Sequence, residues 1–215
     1  MATKQQIPVL AARLVEFQEG FYDLPNEDAQ WAIMHAKEAV RLCVSVIKNR
    51  HKVQTVSNNI TCSIDIRVTP EKFIAKERFV VDTSETARIK ISYLGRNFID
   101  WFGEKIEDSF PGSSIVGRKL IESSLDTQII NELGGERFAE TTLMEINTAM
   151  WRQANGEFGE LSTKGEHNVF YVRDVKGILR TVSVYWDPIA CWCVDAVSID
   201  SFFGHDAGCR VFSRE

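Results

Sequence analysis

The chain lacks most of the features by which a sequence declares its task. It has no run of about eighteen apolar residues, and its first turns carry no uninterrupted apolar core behind a basic start. A membrane-spanning helix and a signal peptide are therefore not read, and the expectation is a soluble, cytoplasmic protein. Cations are outnumbered: 25 Lys and Arg stand against 30 Asp and Glu, for a net charge of −5. A whole-chain electrostatic grip on nucleic-acid phosphates, which needs clustered cations, has no support. The densest basic cluster, Lys48, Arg50, His51 and Lys52, closes a predicted helix, where cations complement exposed carbonyls.

Cysteine is scarce and odd in number: Cys43, Cys62, Cys191, Cys193 and Cys209. Without a secretory signal these read as reduced thiols, not a disulfide framework. Asn59-Ile60-Thr61 matches a glycosylation acceptor, which matters only in a secreted chain. The glycines form no phosphate-binding loop, since Gly95-Arg96-Asn97 has the wrong spacing and Gly112 to Gly117 has no Lys-Ser/Thr in place.

What is present is an ordinary globular balance, 44% hydrophobic and 26% charged, enough for one large core or two small ones. Ile7, Leu10, Leu14, Phe17 and Phe21 share one helical stripe, and Ala29, Ile33, Ala36, Val40, Cys43 and Ile47 share another. Asp23-Leu24-Pro25-Asn26 separates them, so residues 1–52 read as an antiparallel helical hairpin. Ile60, Cys62, Ile64, Ile66 and Val68 alternate as a half-buried strand, and so do Ile89, Ile91 and Tyr93. Phe98, Trp101, Phe102 and Ile106 mark a short aromatic helix. Asp108 to Ser123 reads as the longest surface loop. Two helices follow, the first capped by Ser124 and stopped at Gly134-Gly135, the second carrying Phe138, Thr142, Ile146 and Trp151.

From Asn168 to Arg214 four short strands read as an antiparallel meander, turning at Asp174–Gly177 and at Asp187-Pro188. The expected fold is α+β: the helical hairpin, then an antiparallel β-sheet domain over 53–215 ending in the four-strand meander.

The sharpest chemical candidate is Cys191, Cys193, His205 and Cys209. Residues two apart on a strand face the same way, and four such ligands suit tetrahedral zinc. Small apolar cysteines filling a strand face produce the same pattern. Trp192, between the two thiols, should face the opposite side. His205 and Asp206, with Asp195 and Asp200 nearby, form a candidate acid–base group, because an imidazole beside a carboxylate transfers protons near neutral pH. His35 and His167 read as solvent-facing, and Cys43 and Cys62 as inert core thiols. The aromatic residues Tyr171, Tyr185, Trp186, Trp192, Phe202 and Phe203 concentrate in the sheet. In a chain this acidic they suit core packing first, protein binding second and nucleic acid third.

The passages Asn26–Ile33, Arg78–Ser84, Lys90–Gly95 through Trp101-Phe102, Glu132–Gly135, Asn168–Asp174 and Arg210–Arg214 resemble the landmarks of one family. It is a set of uncharacterised proteins predicted from genomes of candidate-phylum bacteria. The resemblance spans nearly the whole chain in the same order and implies no activity. Members show a Gly-Trp-type motif where this chain has Ala190-Cys191-Trp192-Cys193, and they lack the His205 and Cys209 pair, so a metal site there would be private to this chain.

The functional expectation is a non-enzymatic protein-interaction module without a cofactor. Its partner would be another protein, met on the hairpin or on the aromatic face of the meander, and the hairpin could join two copies. The alternative is a small hydrolase or zinc enzyme using His205, Asp206 and the C-terminal thiols, with 108–123 as a lid. The second alternative is nucleic-acid binding.

Overall fold

In the computed structural model, residues 54–67, 71–109, 111–187, 191–201 and 204–214 are described, and all belong to the unit Lys52–Glu215. The helical hairpin read over 1–52, with His35 and Cys43, lies outside them. The described residues form, in order, β1 (Val56–Ile66), β2 (Phe73–Ile74), α1 (Ala75–Arg78), β3 (Ile91–Leu94), α2 (Arg96–Phe102), β4 (Ile106–Glu107), β5 (Ser113–Leu120), α3 (Asp126–Glu132) and α4 (Glu136–Ala139). They continue with β6 (Glu140–Thr141), α5 (Leu143–Arg152), β7 (Asn168–Arg173), β8 (Leu179–Asp187), β9 (Cys191–Ser198) and β10 (Arg210–Arg214). None of these helices is long and apolar enough to cross a membrane.

Eight strands make one sheet in the order β1-β5-β10-β7-β8-β9-β3, with β6 also pairing β7; β2 and β4 form a separate antiparallel pair. The expected purely antiparallel sheet is thereby corrected to a mixed one in a predominantly β structure. β10 runs parallel to β7, β3 parallel to β9, and β6 parallel to β7. The four-strand meander is corrected with it. β7, β8 and β9 do follow one another antiparallel, but β10 leaves them and inserts between β5 and β7. The physical reason lies in its side chains: Val211 and Phe212 point to opposite faces and both are fully buried. A strand buried on both faces belongs inside a sheet, where both edges are paired as well. Reaching that slot in parallel sense takes a crossover, which residues 199–209 provide.

Alternation gives the sheet two cores. Ile64, Ile115, Phe170, Val184, Trp192 and Phe212 face one side, beneath α5 and α2, which contribute Leu143, Ile146, Met150, Phe98 and Phe102. Val169, Tyr171, Val211, Cys209 and Leu120 face the other, beneath Ile129, Ile130 and Ala139 of α3 and α4. Trp192 thus lies on the face opposite its neighbouring cysteines, as alternation predicts.

The surface loop read over Asp108 to Ser123 is also corrected, because it contains β5, a strand paired on both edges. Gly117 at its middle concealed it. A Cβ at this position would lie 2.5 Å from Cys62 Sγ and 3.0 Å from the Phe212 ring, so glycine lets β1 and β10 bring their side chains together across the strand. This segment cannot serve as a lid. α5 begins with a reciprocal cap in which Thr142 and Glu145 satisfy each other's backbone N–H groups. Gly134 and Gly135, both at positive φ (99° and 97°), end α3 as expected. Ser124 does not cap that helix. Leu125 occupies the cap position, and Ser124 instead pairs by backbone with His205.

Candidate functional site

The connection between β9 and β10 brings His205 down onto the second face of the sheet. Two backbone hydrogen bonds anchor the approach, from Ser124 N–H to the His205 carbonyl at 2.9 Å and from His205 N–H to the Ser124 carbonyl at 2.8 Å. Gly204 makes the close passage feasible, since a Cβ there would stand 2.6 Å from the Ser124 carbonyl oxygen.

The buried imidazole meets Asp126, at the first position of α3, with Nε2 3.0 Å from Oδ1. Tyr171 on β7 donates its hydroxyl to the same oxygen at 2.8 Å. All three side chains are buried, Asp126 and Tyr171 completely. A carboxylate on one ring nitrogen orients an imidazole and favours the tautomer with its proton there. Burial, with Asp126 adding to it, pushes the Tyr171 phenol well above its ordinary range, so Tyr171 acts as a fixed donor. Three buried atoms of this region, Asp126 Oδ2, Ser124 Oγ and Thr181 Oγ1, have no hydrogen-bond partner among the described residues. Thr181 lies directly across from Tyr171 in the β7–β8 register.

Beside His205 opens a cleft of about 350 Å³. Ser183 and Tyr185 of β8, Asp195 and Val197 of β9, and His167 line it, with Gly204 and His205 as a wall. His167 and Tyr185 stack face to face, 4.6 Å between centroids and 8° between planes. Burial and the neighbouring His205 hold His167 below its usual pKa, against a smaller opposing pull from Asp206 and Asp195. Burial, with Cys193 and nearby carboxylates adding to it, pushes the Tyr185 phenol up to about 12.

The predicted site residues fall in different places. His205 is in the cleft wall, but its carboxylate partner is Asp126, seventy-nine positions away. Asp206 is exposed, and its Oδ1 accepts from Ser123 Oγ at 3.3 Å. Asp195 sits on the cleft floor with its carboxylate on its own following N–H, from Ala196 at 2.8 Å. The four proposed zinc ligands do not converge. Cys193 lies opposite Tyr185, Tyr185 is level with His167, and His167 is level with Cys209. That row places the two thiols three strand spacings apart, roughly 14 Å, whereas thiolates on one zinc lie within about 4 Å of each other. Among the described residues no group of three or more His, Cys, Asp and Glu is placed to hold a metal. Burial raises the thiols of Cys62 and Cys209 above their ordinary pKa, which weakens them as nucleophiles.

Sequence reasoning overlooked Asp126, placed Tyr171 only among the sheet aromatics and read His167 as solvent-facing. His167 is not solvent-facing but half-buried in the stack. The available signal was the row 167, 169, 171, which alternation places on one face of β7; nothing local tied that row to Asp126. Searches for similarity found no matching family model, no matching curated protein and no matching solved structure.

Proposed function

We propose that this chain is a non-enzymatic interaction module that receives a segment of a protein partner in the cleft over β8 and β9. The observation that supports this reading is the His167–Tyr185 stack lying open beside Val197 and Ser183. An amphipathic aromatic floor with few, fixed polar groups is what partner side chains dock on, because the rings offer large contact area at little entropic cost. The polar groups around the cleft are tied into structure: His205 to Asp126, Asp126 to Tyr171, and Asp195 to the Ala196 amide.

The test is co-purification of the intact chain with its binding proteins, comparing wild type, Val197→Arg and Ile106→Arg. Val197 is on the cleft floor, while Ile106 is 57% exposed on the small β2–β4 pair. The reading requires that a partner held by wild type and Ile106→Arg be lost by Val197→Arg. Retention by all three sinks it.

The hydrolase reading keeps one specific observation, the His205–Asp126 pair at the cleft wall, an arrangement that serves a general base. It requires a hydrolytic activity in wild type that His205→Gln abolishes while the fold, followed by circular dichroism, persists. Binding through the stack tolerates that substitution.

A further inference from the structure

A second cavity, of about 480 Å³, opens on other strands than the cleft, where β1, β5 and β10 meet α3 and α4. Its polar lining is Arg118 of β5, Arg214 of β10, Glu132 of α3, Gln54, Ser57 and Asn58, and its apolar wall is Val56, Leu133 and Phe138. Phe138 is 45% exposed although large and aromatic.

The charge arrangement is unusual in a chain of net charge −5. Two arginines line one cavity, Arg118 from the middle of β5 and Arg214 from the end of β10, and the one carboxylate residue that lines it with them, Glu132, is engaged by backbone and hydroxyl donors. Glu132 accepts the Thr55 and Val56 amides and the Thr55 hydroxyl, all at 2.7 Å. Glu145 accepts from Ser113 and from the amide and hydroxyl of Thr142, and it forms a long ion pair with Arg214 Nη2 at 3.9 Å without a direct hydrogen bond. Arg118 uses Nη1 on Ser213 Oγ at 2.8 Å. Arg214 Nε is buried and has no hydrogen-bond partner among the described residues. A buried guanidinium N–H without a partner is costly, and guanidiniums take carboxylates and phosphates through paired N–H groups.

We propose that this cavity is a binding site for a small organic anion, a carboxylate or phosphate carried on an apolar body. The anion is held by Arg118 and Arg214 and its body rests on Phe138 and Leu133. The site is independent of the partner cleft, which shares no lining residue with it.

The experiment titrates the isotope-labelled full chain with benzoate, with phenyl phosphate and with benzyl alcohol at low salt, following backbone amide shifts. The expected result is saturable shifts around Arg118, Phe138 and Arg214 with one or both anions and none with the alcohol. Arg118→Gln and Arg214→Gln should each weaken binding about tenfold or more, the scale of one charge-assisted hydrogen bond. Arg214→Lys, which keeps the charge and loses the fork, should fall between wild type and Arg214→Gln. Preference between the two anions distinguishes carboxylate from phosphate. Absence of saturation by both anions in wild type, equal shifts with the alcohol, or undiminished binding by Arg118→Gln and Arg214→Gln overturns the proposal. Shifts that map elsewhere overturn it even if a variant fails to fold.

Discussion

The two faces of the eight-stranded sheet are drawn from the same strands by simple alternation, yet one is closed and the other is divided. On the first face Trp192, Phe170, Phe212 and their neighbours meet α2 and α5 in one continuous apolar cluster. On the second, the apolar cluster under α3 and α4 gives way across β8 and β9 to Ser183, Tyr185 and Asp195, beside a buried Asp126. The first face has the composition of a core whose task is stability, and the second keeps its polar groups where a core would exclude them. What separates them is the cover: a ten-residue amphipathic helix on one side, a short crossover on the other.

The largest expected effect tests this contrast directly. Trp192 is fully buried, packs edge-on to Trp186 and donates its indole N–H to the Gln153 carbonyl at 2.8 Å. Trp192→Ala should cost about 3–5 kcal/mol in chemical denaturation, through lost contacts and the void left behind. Val197→Ala, five residues further along β9 on the cleft floor, should stay below about 1 kcal/mol. Comparable losses at the two positions would mean that the second face is as tightly packed as the first, and the open cleft would have to be abandoned.

A middle-sized effect probes the polar chain. Asp126→Ala removes the acceptor of both Tyr171 and His205, leaving a buried hydroxyl and a buried imidazole N–H without it, at a cost of about 1–3 kcal/mol for each stranded group. Tyr171→Phe removes donor and hydroxyl together and should cost only about 1 kcal/mol. In the double variant the two losses should fall well short of adding, because both act on one contact. Full additivity, measured by the same denaturation curves, would show that Tyr171 and Asp126 do not depend on each other.

Much of the chain's local structure was legible and its pairing was not. Alternation in Ile60 to Ile66 and in Asn168 to Arg173 marks strands because burial of one or both faces imposes period two, and the structure has β1 and β7 there. Alternation says nothing of which strand lies beside which. The meander reading joined β10 to β9 because consecutive strands usually pair, but residues 199–209 are longer than a hairpin loop of two to five residues, and that length was the missed sign of a crossover. β5 escaped because Gly117 and the surrounding serines resemble loop composition, while the reason for the glycine is the close approach to it of Cys62 and Phe212, both far away in sequence. The site failed in the same manner. His205 was picked out, but proximity in sequence suggested Asp206, and the partner Asp126 reaches it only through the crossover and the start of α3.

The smallest effect concerns pH and belongs wholly to the divided face. His167 is held below its ordinary value of 6.5, first by burial and then by His205, with Asp206 and Asp195 pulling the other way. In the unfolded chain the same imidazole takes its proton near pH 6.5, so between that value and the lower folded one the unfolded state binds more protons. The stability His167 contributes is therefore complete above about pH 6.5 and is lost as the pH falls through the folded value. His167→Phe keeps a ring against Tyr185 and removes the titration. Its melting temperature should decline less steeply than wild type as the solution is acidified below about pH 6.5, while the two curves run parallel above it. A variant as steep as wild type in that window would assign the acid sensitivity to other groups, and the stack would then be a packing contact without electrostatic consequence.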